Sequence, residues 1–328
     1  MQSRILGRTG VPVSVIGLGT WQLGGDWGEV PDSDARAVLQ ASVNEGVTLF
    51  DTADVYGDGR SEQVIGAFLR DNPQLDVTVA TKMGRREEQA PENYTLAKFR
   101  EWTDRSRANL GVERLDLVQL HCPPTAVYAL DRVFDELDVL VGDGAIAAYG
   151  VSVERTEEAL TAIARPNVAT VQIILNAFRL KPLDEVLPAA KAAGVGILAR
   201  VPLASGLLSG KYTAETEFGE NDHRNYNRHG EAFDIGETFS GVDYEDGVRA
   251  AREFSDLAAG KGLQPAQAAL AWVAQLDGVT TVIPGARNSE QARANASAAS
   301  VPPLGSDFEN GVRDIYDRYF RKAVHPRW

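Results

Sequence analysis

Asp51, Tyr56, Lys82 and His121 combine side-chain types that together can deliver a proton to an oxygen atom. A tyrosine of ordinary pKa, about 10, is a poor acid at neutral pH, but an ammonium beside it favours the phenolate and eases proton loss. Lys82 can supply that charge. Asp51 can hold Lys82 through a charge-assisted hydrogen bond, and His121 can donate to a carbonyl oxygen and orient it. The set is a proton donor for a developing alkoxide, and it lacks a source of hydride. Each residue alone has a plainer use: a turn or helix-cap Asp, a core Tyr, a solvated Lys, a structural His. Their placement decides between the two, because all four stand at or just past the ends of apolar runs, in VTLFDTADVYG, VTVATK and LDLVQLH.

Those runs belong to a longer alternation. Segments 13–19, 47–53, 77–82, 115–121, 145–152, 171–176, 196–203 and 279–285 read as eight strands rich in Val, Ile and Leu. Between them, 34–46, 61–70, 99–111, 129–144, 156–165 and 183–194 carry helical periodicity, and several close on glycine. Strands of this kind separated by crossover helices imply a parallel sheet covered on both faces. Eight such units favour a closed (β/α)8 TIM barrel, with the whole chain, 1–328, as one domain. Arg8-Thr9-Gly10 suits an N-terminal hairpin, residues 213–245 form a long polar loop after strand seven, and 306–322 read as an extra C-terminal helix. Loops of that length are usually functional lids or disordered. In such a barrel the active site lies at the C-terminal ends of the strands, where the four residues converge on one sector.

Composition narrows the partners. The formal net charge of −13 argues against nucleic acid or an anionic membrane, and an anionic small ligand would need a local cationic pocket. A single cysteine, Cys122, excludes an intrachain disulfide, and four scattered histidines without a CxxC give no zinc-type cluster, so no metal is expected. There is no signal-peptide pattern and no run of the roughly 18 apolar residues that a membrane helix needs, so a cytoplasmic protein, monomeric or a weak homo-oligomer, is expected.

In order along the chain, GLGTW (17–21), FDTADVYG (50–57), VATK (79–82), LDLVQLH (115–121), GVS (150–152), VQ (171–172), PLASGLLSGKY (202–212) and IPGARNSEQARAN (283–295) make a sequence that resembles the aldo-keto reductase family over nearly its whole length. The resemblance implies an NADPH-dependent carbonyl reductase with Asp51, Tyr56, Lys82 and His121 as its catalytic tetrad and Tyr56 as the acid for reduction. It places Ser152 and Gln172 at the nicotinamide carboxamide, and Thr20 and Trp21 near cofactor and substrate, with Tyr56 and His121 also facing the substrate. Asp51 is included among the cofactor contacts. The 202–211 loop, with Pro202, Leu203, Ser205, Gly206 and Lys211, would run along the pyrophosphate, its glycines letting backbone N–H groups approach phosphate. Gly285 and Arg287 leave the last strand where Asn288 or Ser289 can cap a helix, and a helix N-terminus beside an arginine attracts a phosphate, here the 2'-phosphate of NADP. Gln291 and Asn295, one turn apart, match positions that contact the adenosine end.

Three positions leave the family pattern: Arg200 stands where many relatives stack an aromatic ring on the nicotinamide, Val153 where many have Asn, and Cys122 where many have Arg. A guanidinium on that ring face would favour the reduced over the oxidised cofactor. The substrate is a small carbonyl compound of unspecified type, its pocket shaped by Trp21, Trp27 and the 213–245 loop. Two further functions compete: a nucleotide-holding redox-sensing regulatory subunit with slow turnover, and a lyase using Lys82 as a Schiff-base nucleophile.

Overall fold

The computed structural model describes residues 1–24, 30–220 and 222–328; Trp27 lies outside them. An N-terminal antiparallel hairpin, β1 (Ser3–Ile5) and β2 (Pro12–Ser14), turns at Gly10, whose φ of 74° suits a residue without Cβ. The barrel strands follow: β3 (Leu18–Gly19), β4 (Leu49–Asp51), β5 (Thr78–Met83), β6 (Leu115–His121), β7 (Ile146–Ser152), β8 (Val168–Ile174), β9 (Gly196–Arg200) and β10 (Thr281–Val282). They pair in parallel in sequence order. The first and last strands close the ring through bonds from Gly17 N–H to Val282 O (2.8 Å), Val282 N–H to Val15 O (3.0 Å) and Gly19 N–H to Pro284 O (3.0 Å).

Side-chain alternation along the strands separates two cores. Leu49, Ala80, Leu117 and Leu198 point into the barrel with Leu6 and Val13 of the hairpin, which plugs its N-terminal end. Their neighbours Phe50, Val79, Val118 and Ile197 point outward to the helices. The outer layer comprises α1 (Asp32–Asn44), α2 (Arg60–Asp71), α3 (Leu96–Leu110), α4 (Asp131–Gly142), α5 (Thr156–Ile163) and α6 (Val186–Ala193). It continues after β9 with the single turn α7 (His223–Tyr226), then α8 (Tyr244–Ala259) and α9 (Pro265–Gln275), and after β10 with α10 (Ser289–Ser297), α11 (Ser306–Tyr319) and α12 (Arg321–Val324). No described helix is long and apolar enough to cross a membrane.

Several expected boundaries move. The run 13–19 divides between the hairpin and a two-residue barrel strand, because Val13 and Ser14 pair with Arg4 and Ser3. Strand 196–203 stops at Arg200, since Val201 turns the chain with φ 53°, and 279–285 yields only Thr281–Val282 as strand. The stretch 213–245 is no simple loop. It holds α7 and two short turns, Ile235–Glu237 and Phe239–Gly241, and the Arg228 guanidinium lies 4.8 Å from the Tyr244 ring and 5.3 Å from the Phe239 ring. The C-terminal helix packs along α8, where Phe308 meets Phe254 edge-on at 5.8 Å, while Trp328 beyond it packs under Arg179, 4.1 Å from guanidinium carbon to ring.

Candidate active site

Parallel register sets the polar residues in two levels. Lys82 pairs with Gln119, and one step higher His121, Ser152 and Gln172 stand side by side on β6, β7 and β8. Asp51 ends β4 beside Ala80, two residues before Lys82 on the same strand face. Tyr56 reaches the same point from the turn after β4, where Gly57 adopts φ 58° and passes so close to Gly24 that a Cβ would lie 2.0 Å from the Gly24 carbonyl oxygen.

The Lys82 ammonium uses its three donors there: to Asp51 Oδ1 at 2.5 Å, to the Thr52 carbonyl at 2.8 Å and to the Tyr56 hydroxyl at 3.2 Å. Only 1% of Lys82 is exposed, so the charge has no solvent alternative to these partners. Burial works against the ammonium, but Asp51 and Tyr56 outweigh it and hold its pKa above the ordinary value. Gln172 Nε2 donates to Asp51 Oδ2 at 2.7 Å, and Gln119 Nε2 to the same oxygen at 3.3 Å, which fixes the carboxylate. Burial raises the Tyr56 phenol, and the nearby Lys82 opposes that rise without overcoming it, so the phenol keeps its proton. This differs from the expectation of eased proton loss: burial of the hydroxyl raises the cost of the phenolate more than one shared ammonium lowers it. His121 meets the Tyr56 ring edge-on at 5.9 Å. Burial, then Arg85, Lys82 and Arg200, push its pKa well below 6.5, so the imidazole is neutral.

These groups open on a cleft of about 780 Å³ at the C-terminal end of the strands. Among the described residues proposed as catalytic or as cofactor contacts, all but Lys82 line it. Thr20 is turned inward, its hydroxyl donating to the Asp51 carbonyl at 2.8 Å. Trp21 stacks on Tyr56 with ring centroids 6.1 Å apart. Ser152 accepts from the Cys122 thiol at 3.5 Å. Along one wall Val201, Ala204 and Ser205 hold φ values of 53°, 47° and 54°, before Gly206 at 98°. Asn176 braces this turn by donating to Val201 O (2.8 Å) and Ser240 Oγ (2.7 Å), and Ser205 Oγ donates to Glu237 O (3.0 Å). At the far end Asn288 caps α10 by accepting from Gln291 N–H (2.9 Å), Gln291 Oε1 accepts from Arg287 N–H (2.8 Å), and Asn295 Nδ2 donates to Gly285 O (3.0 Å). This end offers a helix N-terminus, Arg287 and Lys211 to one ligand, a set suited to phosphate.

Arg200 carries a correction. Its guanidinium is not a bare cation on a ring face: it pairs with Glu237 at 2.8 Å and donates to Val153 O at 3.1 Å. Glu237 arrives on the 213–245 segment, so no local pattern around Arg200 announced it. Other lining residues escaped the sequence reading too. His223 and Phe233 flank Trp21 at 5.2 and 6.0 Å, and Arg85 stands three residues past Lys82. Gln119 alone left a signal, since alternation from His121 places it on the inner face. Cys122, Glu154 and Glu237 offer metal-ligand atoms within 4.8 Å of one another. Two guanidiniums already hold that trio, Arg200 on Glu237 and Cys122 and Arg85 on Glu154, which suits arginine rather than a metal ion.

The aldo/keto reductase family profile matches residues 15–317. The chain is 29% identical to the aldo-keto reductase YhdN of Bacillus subtilis (strain 168), covering 100% of this chain and 97% of that protein. It is 31% identical to a probable voltage-gated potassium channel subunit beta of Oryza sativa subsp. japonica, over 93% of each. Its fold matches the glycerol dehydrogenase AKR11B4 from Gluconobacter oxydans with a TM-score of 0.79 at 30% identity, covering 99% of this chain and 98% of that one.

Proposed function

Because the chain belongs to the aldo/keto reductase family, we propose that it reduces an aldehyde or ketone to the alcohol with NADPH, Tyr56 giving the proton. When bound, NADPH supplies the hydride to the carbonyl carbon. The chain's own residues do the rest. Neutral His121 orients the carbonyl oxygen by donating a hydrogen bond, and Tyr56 transfers its proton to that oxygen as negative charge develops. Lys82, held by Asp51, stabilises the phenolate left behind. Gln172 and Ser152 face the nicotinamide carboxamide, while Lys211 and Arg287 receive the phosphates, which the charge and backbone of that end of the cleft support.

One observation carries this reading: a single buried ammonium touches both Asp51 and the Tyr56 hydroxyl in a cleft that also holds His121. The same contacts weigh against the Schiff-base alternative, since a protonated Lys82 with three acceptors has no lone pair to offer. The test is Tyr56→Phe, which removes the proton and keeps the ring. Single-turnover reduction of a reactive aldehyde should slow by about 10² to 10⁴, while NADPH affinity by fluorescence titration stays close to wild type. Wild-type turnover in the variant rejects the role of Tyr56. NADPH binding with no hydride transfer from the wild-type chain would favour the nucleotide-holding regulatory subunit; the rice relative is named as a channel subunit.

A further inference from the structure

Arg85 is a cation in the cleft that neither the proton-transfer set nor the phosphate end accounts for. It follows β5 by two residues, after Gly84, whose φ of 114° suits glycine and where an added Cβ would lie 3.1 Å from the Tyr94 ring. That turn sends Arg85 back into the cleft that Tyr56, Val55 and His121 line. Among the described residues its guanidinium makes one hydrogen bond, Nη2 to Glu154 Oε1 at 3.0 Å. Its Nε and Nη1 groups have no hydrogen-bond acceptor among the described residues.

Burial works against the Arg85 charge, but Cys122, Glu237 and Glu154 together hold its pKa above the ordinary value, so the guanidinium stays charged. Glu237 lies 3.8 Å away but belongs more closely to Arg200, at 2.8 Å. Glu154, the nearer partner, has its carboxyl pushed up to about 7 by burial and by Asp234. Arg85 also depresses the His121 pKa more than Lys82 does, which places its field on the residue proposed to hold the carbonyl. A planar fork with unused donors recognises a carboxylate, and burial strengthens the pairing.

We propose that Arg85 is a specificity-determining residue and that the enzyme prefers short aldehydes carrying a carboxylate, the carbonyl at Tyr56 and His121 and the carboxylate on the Arg85 guanidinium. This rests on the carbonyl-reductase reading above. The aromatic wall of Trp21 and Phe233 packs on the intervening methylenes.

The experiment compares kcat/KM for 4-oxobutanoate, butanal and glyceraldehyde with NADPH, in wild type, Arg85→Met and Arg85→Lys. Selectivity is read as the ratio of the first two substrates on the same enzyme, so a general loss of activity cancels. Wild type should favour 4-oxobutanoate over butanal by roughly 10- to 100-fold, as for hydrogen bonds to charged groups. Arg85→Met should bring that ratio near unity, and Arg85→Lys should keep part of it. Equal use of the two by wild type, a preference for glyceraldehyde over both, or an unchanged ratio in Arg85→Met overturns the inference and leaves the carbonyl-reductase reading standing. Reduction of none of the three overturns both. The wild-type ratio alone decides the matter if the variants fail to fold.

Discussion

Asp54, two residues before Tyr56, is buried with neither carboxyl oxygen bonded to a described residue. Burial and the neighbouring Glu62 raise its pKa to about 7 from 3.8. Between those values the fold keeps a proton that the unfolded chain has released, so stability falls as pH rises through the window and the full cost stands above pH 7. Asp54→Asn removes the charge with little change of shape. Its stabilising effect should be near zero at pH 4 and grow to as much as about 4 kcal/mol by pH 8, measured by urea unfolding at both pH values; an equal effect at both would show that Asp54 titrates in the fold as it does in the unfolded chain. At this scale the sequence was legible where chemistry follows strand parity. Asp51, Lys82, Gln119 and His121 are placed by alternation toward a strand end. Charge balance was not legible, because Asp54, Glu154 and Glu237 acquire their character from burial and from partners distant in the chain.

The segment between β9 and α8 illustrates how an element reaches the site without a local signature. Its composition is polar and its length exceeds an ordinary connection, yet it is fixed by aromatic rings around Arg228, by Asn176 and Ser205, and by Glu237 on Arg200. Periodicity found the strands and most helices because burial repeats every two or 3.6 residues; short turns held by single contacts have no period to detect. α8 and α9 are the exceptions: α8 is amphipathic but follows an irregular stretch, and α9 is buried at every position from Ala268 to Ala274, so it shows no helical period. Glu237 has a measurable effect on the proposed cofactor. Glu237 partly offsets the Arg200 charge through their 2.8 Å pair. Glu237→Gln uncovers the cation and should weaken NADP+ relative to NADPH by about 2 kcal/mol, roughly 30-fold, for charges about 8 Å apart at an effective dielectric of about 20. Loosening of the segment would weaken both forms alike. The quantity to measure is therefore the ratio of the two dissociation constants, and an unchanged ratio would mean that Arg200 does not face the ring.

Across the whole molecule the two ends of the barrel do different work. At the N-terminal end the hairpin is stapled on by Arg8, which donates to the carbonyls of Arg165, Pro166, Val168 and Ala193, and by Arg4 on those of Ala274 and Val279. At the other end the connections after the strands carry the chemistry. That division was readable from eight repeated units, whereas the closure between residues 15–19 and 282–284 rests on too few residues to show in a pattern. The placement of charge has a kinetic consequence. Lys211 and Arg287 form a small cationic mouth in a molecule of net charge −13. A polyphosphate approaching from solution feels the body's net negative charge within about one Debye length, roughly 8 Å at physiological salt, and attraction only where the cationic side chains are nearer than the acidic ones. Added salt then lowers the outer barrier and loosens the inner grip together. In stopped-flow binding of NADPH between low and moderate ionic strength, the association rate should rise and the dissociation rate should rise with it, leaving affinity less salt-sensitive than either rate. An association rate that falls with salt would mean that the mouth, and not the body, governs the journey in.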